Sequence, residues 1–345
     1  MTRVAVIGTT SWGTTLAILM ARRSLDVRLW ARTPEEAAAL TAAKENTRFV
    51  PGISFPPSLR VTASLKKALD GADLVLFAVP SRSLRENARR VASRIPPKAV
   101  VVSATKGLER QTGKRMSQVL QEELAVELHT RICALSGPNL AREVAEGKPA
   151  STAIACPDEE QARFAQEVVM GPTFRVYTTP DLIGVELGGA LKNIIALGAG
   201  VCDGLGYGAN AKAAFMARGL VEITRLGVAA GANPLTFAGL ACLGDLIATC
   251  LSPLSRNRSA GEQLAKGRSL KQILASTPHV IEGVETTPAA LKLAAQYSVE
   301  MPITEATHRV LFDGLDPRTV GGELMGRSPG TEWRGVTPAE KEQGD

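Results

Sequence analysis

Certain residues stand where their type and surroundings imply chemistry. Gly8-Thr9-Thr10-Ser11-Trp12-Gly13 follows the apolar run Val4–Ile7 and precedes a helical pattern. Gly8 and Gly13 would frame a tight turn that brings backbone N–H groups at a helix N-terminus to a pyrophosphate. A middle glycine usually lets the backbone approach the phosphates closely. Thr10 stands there instead, and its β-carbon implies a shifted turn or phosphates held slightly farther out. The bland alternative is a strand-to-helix turn with no ligand. The apolar segment Gly188–Ile195 contains Lys192 and Asn193. A lysine there is costly unless paired or used, and burial lowers its pKa toward values suited to proton transfer near neutral pH. Otherwise its stem lies in a core and its ammonium reaches water. Asp245, within Leu243-Gly244-Asp245-Leu246, is a second isolated charge in an apolar pattern. It could orient Lys192 or accept from a substrate hydroxyl. Ser255-Arg256-Asn257-Arg258 follows Pro253 and opens a helix, offering a hydroxyl, a guanidinium and backbone amides to a phosphate.

These residues need a frame to hold them. Strand patterns fall at Val4–Gly8, Val27–Ala31, Leu74–Val79, Val100–Ser103, Ile132–Leu135 and Thr152–Cys156, with a further short one at Phe174–Tyr177. The first three are apolar runs, the second interrupted by Arg28, as in parallel strands covered on both faces. Helical patterns at Trp12–Arg23, Pro34–Lys44, Leu84–Arg94 and Gly113–Leu124 alternate with them, predicting a doubly wound, Rossmann-type α/β sheet over residues 1–180. Beyond Pro180 strand signals almost vanish. Helices are expected at 181–201, 211–230, 234–250, 259–266, 269–275, 286–297 and 303–312, punctuated at Gly204-Leu205-Gly206, Gly231, Pro253, Pro278 and Pro302. An all-helical domain therefore spans 181–328, and 329–345 reads as a loosely ordered tail. Ligands of open α/β sheets bind beyond the carboxyl ends of the strands. Lys106, Gly137 and Asn139 follow such ends, although Lys106 alone would also suit an ordinary surface position. The second strand ends Leu29-Trp30-Ala31-Arg32-Thr33. An acid there would bind a ribose 2′-hydroxyl, whereas Arg32 can pair with a 2′-phosphate. NADPH is thus favoured over NADH, with Glu35 and Glu36 read as starting the next helix. Arg32 could equally be a solvated loop charge or stack on adenine.

Composition narrows the classes. With 45% apolar and 21% charged residues the chain can bury a sizeable core, which excludes wholesale disorder. The net charge of +6 carries no Lys/Arg run interleaved with aromatics, so a nucleic-acid partner is not expected. Cys133, Cys156, Cys202, Cys242 and Cys250 form no CxxC pair, and His129, His279 and His308 lie far apart, which argues against a metal site. The odd cysteine count suits a reducing cytoplasm. The first strand begins too early for a signal peptide to precede it, and no charge-free apolar stretch predicts a membrane span.

Together these segments resemble bacterial NAD(P)-dependent glycerol-3-phosphate dehydrogenase. The matching pieces are the turn at 8–17, Ala104-Thr105-Lys106-Gly107-Leu108-Glu109, Ser136-Gly137-Pro138, Gly184–Asn193, Gly244-Asp245-Leu246, Ser255-Arg256-Asn257-Arg258, Val280-Ile281-Glu282-Gly283 and Met301-Pro302-Ile303-Thr304-Glu305. They run in order across about residues 3–328. The resemblance implies a C-terminal domain like that of 6-phosphogluconate dehydrogenase. It also implies reversible reduction of dihydroxyacetone phosphate to sn-glycerol 3-phosphate for glycerophospholipid synthesis, in a cytoplasmic homodimer. By position, Lys192 would be the proton donor and acceptor. Lys106, Gly137, Asn139, Asp245, Ser255, Arg256 and Asn257 would join it around the substrate. Gly8, Ser11, Trp12, Gly13, Arg32, Lys106, Ala141, Arg256, Val280 and Glu282 would hold the cofactor. The chain departs from the family at Thr10, where glycine is usual, and at Asn139, where Ser or Thr is usual. The rival readings are a ketopantoate or β-hydroxyacid type of reductase, which takes a carboxylate substrate, and a catalytically silent NAD(P)-binding sensor.

Overall fold

The structure, a computed structural model, describes residues 1–277, 279–333 and 335–336. Pro278 and most of the tail expected to be loosely ordered lie outside the described residues. The strands are β1 (Arg3–Ile7), β2 (Asp26–Trp30), β3 (Leu59–Thr62), β4 (Leu74–Phe77), β5 (Val100–Ser103), β6 (Ile132–Ser136), β7 (Ala150–Ala155) and β8 (Phe174–Thr179). They form one sheet in the order β3-β2-β1-β4-β5-β6-β7-β8. Pairing is parallel from β3 to β6, antiparallel between β6 and β7, and parallel again between β7 and β8.

Every residue of β4 and β5 is buried, because both faces of the sheet are covered. Leu16, Ile18, Leu19 and Met20 of the helix Ser11–Ala21 pack on one face. Leu84, Ala88 and Val91 of the helix Ser81–Val91 pack on the other. The winding direction reverses between β1 and β4, so the carboxyl ends of these two strands open a crevice. Gly8 lies at its edge, and Lys106 and Gly137 follow the neighbouring strands β5 and β6.

Past β8 the described elements are helices. Leu182–Leu205 is the buried axis of this half. Gly208–Ala229, Arg256–Ala265 and Glu282–Gln296 pack around it. Its crossing with Arg256–Ala265 is a backbone contact. A β-carbon at Gly200 would stand 1.9 Å from the Arg258 carbonyl oxygen, and one at Gly261 would stand 1.8 Å from that of Leu197. Glycine at both positions therefore fixes how near Arg256 and Asn257 come to Lys192. By length and composition Leu182–Leu205 and the interrupted segment Pro234–Leu251 could each cross a bilayer; the first is mostly enclosed by its own fold.

The structure departs from the sequence expectations in local ways. β3 was not expected; its LRVT sequence is an edge strand with little buried surface. The expected helix over 234–250 is three pieces, Pro234–Phe237, a π-turn Leu240–Gly244 and Asp245–Leu251, broken around Gly239 and Gly244. The helix expected from 259 begins at Arg256, where the Ser255 side chain caps it. Pro317–Met325, capped by Asp316, was also not expected; its first residue is a proline, which suits a first helical turn.

Candidate active site

The glycine turn is built from both ends. Gly8 has φ +118°, and a β-carbon there would stand 2.8 Å from the Ala78 carbonyl oxygen. Thr10 adopts extended backbone as the cap of the first helix. Its hydroxyl accepts from the Gly13 amide (3.1 Å) and donates to the Ala78 carbonyl (2.7 Å). The threonine thus turns its side chain into the end of β4, and the turn closes without a middle glycine. The amides of Ser11 and Trp12 have no protein acceptor among the described residues, and the Trp12 indole N–H is enclosed without a partner. Free amides at a helix N-terminus beside an unpaired donor fit a dinucleotide pyrophosphate. Thr15 holds Ala141 against this helix through a 3.1 Å bond to its carbonyl. Arg32 stands exposed just past β2. Glu36, expected only to begin a helix, reaches back to both the turn and the end of β2: it accepts from the Thr9 hydroxyl (2.5 Å) and from the Arg32 amide (3.1 Å).

The charged centre draws on both halves. Lys106, following β5, places Nζ 2.6 Å from Asp245 Oδ2 and 3.0 Å from the Gly137 carbonyl oxygen. Lys192 Nζ lies 2.9 Å from Asp245 Oδ1 and donates to the Thr249 hydroxyl at 2.6 Å. Thr249 in turn donates to Asp245 Oδ1. Lys192 and Asp245 are 6% and 3% exposed, so their charges depend on each other rather than on water. Burial lowers the Lys192 pKa, Asp245 opposing and Lys106 reinforcing that direction. Burial pushes the Asp245 carboxyl up, but Lys106 and Lys192 outweigh it and hold it below its ordinary value. Of the two roles open to Asp245, orienting Lys192 is the one with a visible contact. Thr249 was not anticipated; its position four residues after Asp245, on the same helix face, was the available signal.

Arg256 and Asn257 open the next helix, and Asn257 is bonded to Asn193, the residue after Lys192. Asn257 donates to Asn193 Oδ1 (2.9 Å) and accepts from the Gly283 amide (2.8 Å), tying three helices together. Ser255 spends its hydroxyl on the Arg258 amide, so it caps the helix. Arg256 is exposed by area yet hemmed in by protein: burial lowers its pKa and Glu282 opposes this. A guanidinium nonetheless stays charged at any working pH. The half-buried Glu282 has an enclosed Oε2 with no partner. Burial pushes its carboxyl up to about 7, against the pull of Arg256. A β-carbon at Gly107 would lie 3.8 Å from that Oε2, so Glu282 faces the sheet's carboxyl end beside Lys106. Val280 lies in the loop just before it. Asn139 donates to the Ser151 carbonyl (3.0 Å), leaving its buried Oδ1 unpaired. The side chain therefore holds an unpaired acceptor at the position where the family usually has the hydroxyl of Ser or Thr.

A cavity of about 1140 Å³ lies elsewhere, in the helical half, and is lined by residues such as Phe215, Glu222 and Leu311. The catalytic candidates instead meet in the open cleft between the sheet and the helices. Among the described residues no group of His, Cys, Asp and Glu is arranged to hold a metal ion.

Known proteins give the same geometry a context. Residues 3–162 match the family described as NAD-dependent glycerol-3-phosphate dehydrogenase N-terminus, and residues 181–321 match its C-terminus. A Dehalococcoides mccartyi protein named glycerol-3-phosphate dehydrogenase [NAD(P)+] is 51% identical over 336 residues, covering 97% of this chain and 94% of its own. A Pelotomaculum thermopropionicum protein of the same name is 48% identical over 337 residues, covering 98% and 97%. The crystal structure of glycerol-3-phosphate dehydrogenase from Coxiella burnetii is similar with a TM-score of 0.89 at 37% identity, covering 94% of this chain and 99% of that one.

Proposed function

Because the chain belongs to the NAD(P)-dependent glycerol-3-phosphate dehydrogenase family, we propose that it reduces dihydroxyacetone phosphate to sn-glycerol 3-phosphate, reversibly, and so supplies glycerophospholipid synthesis. It is an oxidoreductase that uses NADH or NADPH. The observation carrying the reading is the buried Lys106–Asp245–Lys192 cluster beside the first turn of the Arg256 helix.

When bound, the nicotinamide supplies the hydride. The residues of this chain do the rest. Lys192, held by Asp245 and Thr249, presents its ammonium to the carbonyl oxygen, stabilises the charge that grows there and gives up a proton to form the alcohol. Lys106 fixes the other carboxylate oxygen of Asp245, so Lys192 cannot draw that carboxylate away from the cleft. Arg256 and the amides that open its helix receive the phosphate. Gly137 and Asn139 border the substrate from the end of β6. Gly8, Ser11, Trp12, Gly13, Arg32, Ala141, Val280 and Glu282 enclose the dinucleotide. Leu182–Leu205 is mostly enclosed by its own fold, as a core helix is, and we take the protein to be a cytoplasmic homodimer with no membrane span and no nucleic-acid partner.

The test follows cofactor oxidation at 340 nm with dihydroxyacetone phosphate, ketopantoate and a 2-keto acid as separate substrates. Turnover of the phosphate alone is expected, and Lys192→Ala should lower kcat by about 10²–10⁴-fold with cofactor still bound. Turnover of ketopantoate alone, or a kcat within a few-fold of wild type in Lys192→Ala, would overturn the assignment.

A further inference from the structure

The helix Pro34–Ala43 begins with Thr33 as its cap and Glu36 three residues on. In that spacing a glutamate ordinarily reaches back to the amide of its own capping residue. Here it does not. One carboxylate oxygen accepts from the Thr9 hydroxyl inside the glycine turn, and the other accepts from the Arg32 amide just beyond β2. The Thr33 hydroxyl still caps the Glu36 amide. The anchor at Thr9 is itself held, since the buried Asn46 side chain donates to the Thr9 carbonyl (2.9 Å) and to Thr14 (2.8 Å). Glu36 therefore bridges two backbone segments that flank an adenine ribose in a dinucleotide-binding sheet.

This arrangement acts on the choice between the two nicotinamides, and it rests on the dinucleotide reading given above. We infer that Glu36 is a specificity-determining residue that disfavours a 2′-phosphate, offsetting Arg32 so that NADH binds at least as tightly as NADPH. Two features carry it. The carboxylate already uses the Arg32 amide, so that donor is not free for a 2′-phosphate. Its negative charge also stands where that phosphate would add more, whereas a ribose 2′-hydroxyl can donate to it. The guanidinium of Arg32, exposed and without a side-chain partner among the described residues, pulls the other way. The preference expected from Arg32 alone leaves this carboxylate out.

Dissociation constants for NADH and NADPH, measured by calorimetry without substrate, test the inference on the wild type, Glu36→Gln, Arg32→Ala and Thr9→Val. Wild type should bind NADH at least as tightly as NADPH. Glu36→Gln, which keeps the size and one acceptor but removes the charge, should shift the ratio toward NADPH by about tenfold. Arg32→Ala should shift it the opposite way. Thr9→Val frees the carboxylate without removing its charge and should move the ratio less than Glu36→Gln does. A wild type that prefers NADPH tenfold, or a ratio unchanged in a Glu36→Gln protein of unaltered melting temperature, overturns the inference. Failure to bind either dinucleotide overturns both it and the proposed function. Binding of both with no turnover of dihydroxyacetone phosphate overturns the proposed function alone.

Discussion

Replacing Asp245 by asparagine tests the charged centre most directly. The carboxylate lies 2.9 Å from Lys192 Nζ and 2.6 Å from Lys106 Nζ, and all but 3% of the residue is buried. Asparagine keeps the shape but removes the anion. Lys192 then keeps the burial that lowers its pKa and the repulsion of Lys106, while losing the main group that opposes both. An opposite charge at this range is worth about 1–3 pH units. In the reducing direction Lys192 must carry a proton, so activity is lost as the pH rises through its pKa. The alkaline limb of the kcat profile should therefore move to lower pH by about 1–3 units. Breaking a buried pair from one side should also cost about 3–5 kcal/mol of stability. Since folded Asp245 titrates below its ordinary value, its contribution is present above about pH 4 and is lost only in more acid solution. The assay is kcat for dihydroxyacetone phosphate reduction from pH 6 to 10, paired with thermal unfolding. Thr249→Val provides the control: it removes the hydrogen bond, keeps the charge and should move the limb less. A folded Asp245→Asn protein whose alkaline limb stays in place would refute the coupling of Asp245 to the proton-carrying group.

Arg256→Ala should raise KM for dihydroxyacetone phosphate by an amount equivalent to about 2–5 kcal/mol; an unchanged KM would remove this residue from the phosphate site. Glu222, buried in the helical half, accepts from the Ile303 and Thr304 amides, yet burial pushes its carboxyl up to about 7. Its folded pKa exceeds the unfolded one, so the stability linked to the proton is complete below about pH 4.5 and lost as the pH rises toward 7. Urea unfolding at pH 5 and pH 8 should show wild type losing about 2–2.5 kcal/mol more than Glu222→Gln over that interval, and equal losses would contradict the shift. Thr10→Gly removes the cap on Gly13 and the bond to Ala78, so it should lower stability by about 1 kcal/mol and change NADH and NADPH binding by the same factor. Tighter binding of either would mean that the threonine obstructs the pyrophosphate.

What the sequence reveals tracks how one-sided its local signals are. β1, β4 and β5 are legible because strands covered on both faces must be apolar throughout. β3 is hidden because an edge strand can alternate and mix in charge, as Arg60 does. The antiparallel step between β6 and β7 leaves no mark in either strand, since direction is set by the crossover and not by composition. The same contrast holds in the site. Lys192 and Asp245 are visible as single charges in apolar helices. Thr249 is not, because a threonine fits such a helix with or without a role. Glu36 looks like an ordinary acid in the first turn of a helix, and only the fold brings that turn to Thr9 and Arg32.

The two halves meet through charge as well as packing. Glu186, on the Leu182–Leu205 helix, accepts from the Ser117 amide and hydroxyl and from Arg115. Lys106 reaches across from the sheet to Asp245. The first contact is closed: its buried carboxylate is satisfied by three donor groups from the sheet half. The second is open, because two ammonium groups share one carboxylate and Arg256 adds a further positive charge that no carboxylate bonds among the described residues. Even with Glu282 partly ionised near pH 7, such a centre is short of anions by about one to two charges, and a phosphate monoester carries a charge in that range near neutral pH. A phosphate substrate would thus complete the electrostatics of the cleft, and a neutral ketone would leave them unbalanced. This gives a physical reason for Arg256 to affect binding and for Lys192 to affect turnover, even though both answer to the same excess of positive charge.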